Sequence, residues 1–229
     1  MINTPRGSTL LALALLAAVT VAACAPKQVT KGEKFPQMYT EAPASILILP
    51  PMNESTAANA KAYYATTIQE CMSYWGYYVL PYEITSDILK MEGIYDTELI
   101  KGIPLAKFRE YFGADAVLFT IIKKWDVSYV VIASTLTVSI DCELMSTKTD
   151  QQLWKYNGTV VVDLSGGNTG GGLAGLVAKA IIAAASTAMA DYVPYAKQAN
   201  YRAFSSLPYG RYHPHYQVDQ SMAFFEQAP

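Results

Sequence analysis

Three cysteines and two histidines are the side chains best suited to chemistry in this chain of 229 residues. Cys71 and Cys142 are too far apart in sequence to form a C-x-x-C pair, and His213 and His215 flank Pro214 in a Tyr-rich tail. Alternate residues of an extended chain project to opposite sides, so these two imidazoles make a poor chelate and no metal site is expected. The sequence carries no G-x-S-x-G elbow and no H-E-x-x-H pair. The glycine run at 165–172 (SGGNTGGG) lacks the Lys-Ser/Thr that would let it hold a phosphate, and reads as a flexible joint. Without a histidine in the core, a Ser or Cys nucleophile lacks its commonest base. We expect no catalytic residues, no cofactor and no enzyme.

Cys71 and Cys142 leave two readings open. By periodicity, the helix face carrying Cys71 and the strand face carrying Cys142 both point inward. An oxidising compartment permits a disulfide between them, worth about 4 kcal/mol for so long a loop. The alternative is two separate buried thiols, since cysteine is a common core residue.

Cys24 has a different setting. Arg6 precedes an apolar stretch over residues 10–21 (LLALALLAAVTV), and Val21-Ala22-Ala23 leads directly to Cys24. The stretch is too short to span a bilayer and has the proportions of a cleaved secretory signal. A cysteine after Val-Ala-Ala resembles the bacterial lipobox, in which the thiol is diacylated, the peptide is cut and the new amine is acylated. Several acyl chains, at about 0.8 kcal/mol per buried methylene, hold a protein stably where one is marginal. Ala25 stands where an inner-membrane retention signal would place Asp, which points to the outer membrane.

Charge excludes other partners. There are 17 Lys+Arg against 19 Asp+Glu, with no basic stripe, so no nucleic acid is expected. The chain is 16% charged, below the usual ~25%, which excludes disorder.

The elements that would position these residues read as an α/β layer followed by a hairpin. Residues 45–49 (SILIL) are a buried strand stopped by Pro50-Pro51. Ser55 or Thr56 caps a helix over 58–75, whose Tyr64, Ile68, Cys71, Met72 and Trp75 share a face. A second strand covers 77–80, then short helices cover 84–91, a stretch capped by Asp96 through Ile100, and 104–111. The apolar run 116–122 (AVLFTII) is a strand covered on both faces. From 132 to 144 the period becomes two: Leu136, Val138, Ile140, Cys142 and Leu144 lie on one face, Thr135, Thr137, Ser139, Asp141 and Glu143 on the other. A partner strand over 153–164 presents Trp154, Tyr156, Val160, Val162 and Leu164. Residues 173–190 are almost wholly apolar, with Lys179 their only charge. They read as a buried helix, or as a membrane-inserted one. A helical piece at 195–205 and an extended tail follow. The organisation is a signal peptide (1–23), a lipidated N-terminus and tether (24–43), an α/β domain (44–164), a Gly hinge, apolar helix and Tyr/Pro-rich extension of the same domain (165–218), and a tail (219–229).

Several blocks carry a family resemblance: 46–55 (ILILPPMNES), 76–81 (GYYVLP), Ile103-Pro104-Leu105, 112–117 (FGADAV) and 207–214 (LPYGRYHP). Together they resemble the neisserial-type bacterial lipoprotein family, a group of unknown function whose fold is similar to the TolB N-terminal domain. The resemblance implies a mixed sheet with an antiparallel C-terminal hairpin and helices packed on it. It also implies a homodimer and work beside a lipoprotein resembling the curli-secretion subunit CsgG. It carries over no catalytic residue, and His215 stands where the family often has an acidic residue. The expected function is a periplasm-facing, outer-membrane lipoprotein acting as a non-catalytic binding or assembly module in envelope transport. The alternative is a lipoprotein that delivers a lipid or glycan ligand to an envelope transporter.

Overall fold

A computed structural model describes residues 28–95, 97–100, 102–130, 133–164 and 192–225. In chain order these form β1 (Gln28–Thr30), α1 (Lys31–Lys34), α2 (Pro36–Glu41), β2 (Ser45–Ile48), β3 (Met52–Asn53), α3 (Ala60–Tyr74), β4 (Tyr78–Val79), α4 (Tyr82–Met91), a 3-10 turn (Thr97–Ile100), α5 (Leu105–Phe112), β5 (Ala116–Val130), β6 (Ala133–Ser146), β7 (Gln152–Asp163), α6 (Val193–Ala203), a second 3-10 turn (Phe204–Ser206) and β8 (Ala223–Phe225). The signal segment, Cys24, Asp96, the glycine run, the apolar segment 173–190 and residues 226–229 lie outside the described residues.

One mixed sheet runs in the order β4-β2-β5-β6-β7, with β3 also pairing β5. The pairs β2/β4, β2/β5 and β3/β5 are parallel, while β5/β6 and β6/β7 are antiparallel. This is the mixed α/β architecture with an antiparallel hairpin that the sequence patterning implies. β2 and β3 are one strand broken at Pro50-Pro51. Neither proline can donate to the ladder, so Leu49 bonds to Leu118 O and pairing resumes at Met52 opposite Ile121. Thr97 Oγ1 donates to the carbonyl of Pro50, so the break is held from the side.

Coverage of the sheet changes along β5, and the sequence pattern changes with it. At the parallel end, Ile46 and Ile48 enter one apolar cluster with Ala116, Leu118 and α3, while Leu47 and Leu49 enter another with Leu89, Ile100, Phe108 and Val117. Both faces are covered, hence the unbroken apolar run. Beyond it the helices cover one face only. Leu136, Val138, Ile140, Cys142 and Leu144 are buried under α3 and α6, and the Thr/Ser face of β6 is partly open. α6 reaches α3 through Ala196, Ala199 and Ala203, and Asn200 Nδ2 donates to Thr67 Oγ1 at 2.8 Å across the contact.

Several expectations need correction. β5 does not stop at Ile122 but continues to Val130 through an irregularity between Ile122 and Lys124, because β6 supplies a ladder along its whole length. Neither Ser55 nor Thr56 caps α3. Ser55 is taken up in a turn on Asn53, donating its N–H and Oγ to Asn53 Oδ1 at 3.1 and 2.6 Å, and the cap position falls to Asn59 without a side-chain bond. The tail is not extended: residues 207–222 turn back across the end of α3, and β8 pairs antiparallel with β1. Residues 28–41, read as tether, are folded, with Phe35 and Met38 in the core. Their Lys- and Pro-rich composition resembles a linker. Yet Thr30 and Glu33 form a capping box that starts α1, and Pro36 sits where α2 begins, as proline prefers.

Candidate functional site

The N-terminal segment is locked to the tail through a buried charge. Lys31 opens α1 with its side chain only 3% exposed. Its ammonium donates to Leu207 O at 2.8 Å, pairs with Asp219 at 3.3 Å and lies 4.4 Å from the Tyr209 ring centre. Asp219, with no exposed side-chain surface, also accepts from Tyr39 Oη at 3.1 Å and from the Tyr209 N–H at 2.9 Å. Burial pulls the Lys31 pKa down, and the carboxylate of Asp219 works against that fall. Burial and then Asp219 hold the Tyr39 phenol well above its ordinary range.

The tail itself closes on α3. Gly76, at φ +86°, ends the helix turn, and Tyr212 N–H donates to its carbonyl at 2.9 Å. Gly210 lies so close that a Cβ there would sit 2.5 Å from Gly76 O. Tyr77 Oη donates to Pro208 O at 2.6 Å. These contacts join the 76–81 and 207–214 blocks that carry the family resemblance.

Beside this lock lies a groove of about 370 Å³. The N-terminal segment contributes Lys34 and Phe35 to its wall, and the start of β7 contributes Leu153, Lys155, Tyr156 and Asn157. Arg202, Ser205 and Ser206 come from the end of α6 and the turn after it, and Phe224 and Phe225 from β8. Phe224 stacks on Phe35 at 5.8 Å, which builds the aromatic floor. Arg202 donates to Val161 O at 2.6 Å, so its guanidinium is fixed against β7. Lys155 pairs with Glu143 at 2.9 Å on the surface. Among the described residues the lining holds three cations and no carboxylate. Cations at the rim over an aromatic floor suit an anion attached to an apolar body; among the described lining residues no nucleophile is paired with a base.

The residues singled out in the sequence do not meet at this groove. Cys71 and Cys142 lie in one core cluster, and in this structure both are buried free thiols. Cys142 Sγ is taken by Tyr64 Oη at 3.5 Å and Thr120 Oγ1 at 3.7 Å. Burial pushes its pKa up to about 12, and pushes the Cys71 thiol well above its usual range. His213 stacks face to face on Tyr209 with centroids 3.7 Å apart. The N–H of His215 donates to Nδ1 of His213 at 3.1 Å, which ties the two histidines into a turn. Among the described residues no three metal-ligating side chains converge, and no helix is long and apolar enough to cross a membrane. Of the tail tyrosines, Tyr192, Tyr195, Tyr201 and Tyr209 pack on the domain's own core, and Tyr212 is exposed. Sequence reasoning missed both the groove and the lock. The only trace of them was a Lys- and aromatic-bearing stretch around Phe35 that composition assigns to a linker.

Comparison with known proteins places the chain. The family model described as "Putative lipoprotein GNA1162-like" matches residues 35–210. "Putative lipoprotein NMB1124/NMB1162" of Neisseria meningitidis serogroup B is 30% identical over 185 residues, which is 79% of this chain and 83% of that protein. The crystal structure of lipoprotein GNA1162 from Neisseria meningitidis is similar at 28% identity and a TM-score of 0.48, covering 65% of this chain and all of the other. A PelC dodecamer from Paraburkholderia phytofirmans is similar at 11% identity and a TM-score of 0.44, covering 82% of this chain and 98% of the other. The resemblance read from the sequence blocks is borne out: the chain belongs to the GNA1162-like lipoprotein family, and so to the lipid-anchored proteins of the cell envelope.

Proposed function

We propose that the protein is an outer-membrane lipoprotein acylated at Cys24, whose periplasm-facing body is a non-catalytic binding or assembly module in envelope transport or biogenesis. One observation carries this reading. The first described residue, Gln28, already pairs with Phe225, and in the sequence only Ala25, Pro26 and Lys27 stand between it and the lipobox cysteine. Four residue steps of fully extended chain span at most about 14 Å. An anchor on so short a leash holds the body against the membrane, where a binding module for envelope components is useful. A homodimer and a CsgG-like lipoprotein are the partners the family resemblance suggests. The test is metabolic labelling with an alkyne fatty acid, followed by membrane fractionation and cross-linked capture. The native chain should take up label and sediment with the outer membrane, and Cys24→Ala should do neither. Unlabelled native protein, or label in the inner membrane alone, would overturn the anchoring. Capture that repeatedly returns no envelope component would overturn the module.

The groove favours a second reading, in which the body carries a lipid or glycan to a transporter. Its cationic rim and aromatic floor support an amphiphilic ligand, and it lies at the edge of the sheet, not beneath it.

A further inference from the structure

We propose that the groove seats the phosphate headgroup of an anionic phospholipid from the same leaflet that holds the anchor, so that the body is docked on the membrane surface. The inference rests on the acylation at Cys24 argued above and adds a ligand to it. The first support is charge: Lys34, Lys155 and Arg202 line the groove, and among the described residues no carboxylate does. Lysine offers a point charge and arginine a planar fork, the two devices proteins use for phosphate. The Lys155–Glu143 pair is a surface ion pair, a kind worth at most about 1 kcal/mol, so a phosphate can replace the carboxylate.

The second support is the aromatic part. Phe225 is 64% exposed at the lip, with Phe35 and Tyr156 behind it. Aromatic side chains of this kind settle at the boundary between headgroups and acyl chains.

The third support is reach, which selects the occupant. Phe225 pairs directly with Gln28 in the β1–β8 ribbon. Directly paired residues lie about 5 Å apart, so the lip is within about 20 Å of Cys24 even with the leash fully extended. The acylated residue therefore cannot leave the groove far from the leaflet. Of the amphiphiles that fit the chemistry, phospholipid headgroups are the ones held permanently within that distance.

The experiment uses the mature full-length lipoprotein in nanodiscs. One set contains phosphatidylethanolamine alone, the other a mixture with phosphatidylglycerol. The photo-cross-linker benzoylphenylalanine replaces Phe225, and in a control it replaces the exposed Tyr111 of α5. A phospholipid adduct should form at 225 in the mixture and not at 111. Lys34→Gln and Arg202→Gln should each lower it about fivefold, the effect of one cation near an anionic surface. A thermal melt of each variant confirms that the fold is kept. An adduct indifferent to lipid charge and to both substitutions overturns the assignment, as does its absence or a cross-link to protein only. Intact mass separates this from failure of the anchoring. Missing acyl mass at Cys24 refutes the lipoprotein reading, whereas acylated protein without a charge-dependent adduct refutes the groove assignment alone.

Discussion

Replacing Asp219 with Asn tests whether the Lys31–Asp219 pair holds the N-terminal segment to the tail. Both side chains are almost fully removed from water, at 3% and 0% exposure. Removing one partner of such a pair typically costs 3–5 kcal/mol, because the other charge stays buried and uncompensated. Two features place this protein at the low end. Lys31 keeps Leu207 O at 2.8 Å and the face of Tyr209, a cation–π contact worth about 2 kcal/mol when desolvated. Burial already lowers the lysine pKa, so losing the proton is an available escape. We expect Asp219→Asn to cost about 3 kcal/mol at pH 7. The double substitution Lys31→Met with Asp219→Leu removes both charges together and should lie within about 2 kcal/mol of the native chain. The assay is urea unfolding of a mature Cys24→Ala chain followed by tryptophan fluorescence, with limited proteolysis across residues 28–41 to detect local release. Sodium chloride should leave the loss unchanged, since a buried pair is poorly screened. A single-variant loss under about 1 kcal/mol, or a double variant worse than the single, would show that the pair is not desolvated.

Gly76→Ala should destabilise by about 3 kcal/mol, since φ is +86° and the new Cβ would lie 2.4 Å from His213 N. Gly113→Ala, at φ +69° with open space around it, should cost only about 1 kcal/mol, and chemical denaturation of the two variants checks the contrast. Denatured, unreduced protein lacking Cys24 should titrate two thiols. The folded protein should react with a thiol reagent only at its opening rate, because both cysteines are buried and held protonated. Burial, and after it His215, lowers the His213 pKa, so the unfolded chain binds a proton first as pH falls. Stability should be complete above about pH 6.5 and decline below it. His213→Gln should flatten that slope in melts taken at pH 5 and 7.5, and an unchanged slope would assign it to other groups.

How much was legible depends on where the information lies along the chain. The alternation from Thr135 to Leu144 survives in the fold because one face of β6 meets helices and the other does not. The run 116–122 betrays the place where both faces are covered. The recurring face of α3 is buried as its spacing implies. The linker-like reading of residues 28–41 fails for a different reason. Short helices leave little periodicity to see, and the reason Lys31 can be buried is an aspartate 188 positions away. The thiols show the same divide: periodicity turns Cys71 and Cys142 inward, but each then meets its own neighbours.

Local pattern thus determined the hairpin, the buried central strand and the inward face of α3. Each depends on a residue's type and its near neighbours in sequence. The tertiary structure alone decided the Lys31–Asp219 lock, the Gly76–Gly210 contact and the cationic groove. Those bring together segments from opposite ends of the chain, and closing such a loop leaves no periodic mark on either end, because what sets it is the packing of the body that lies between them.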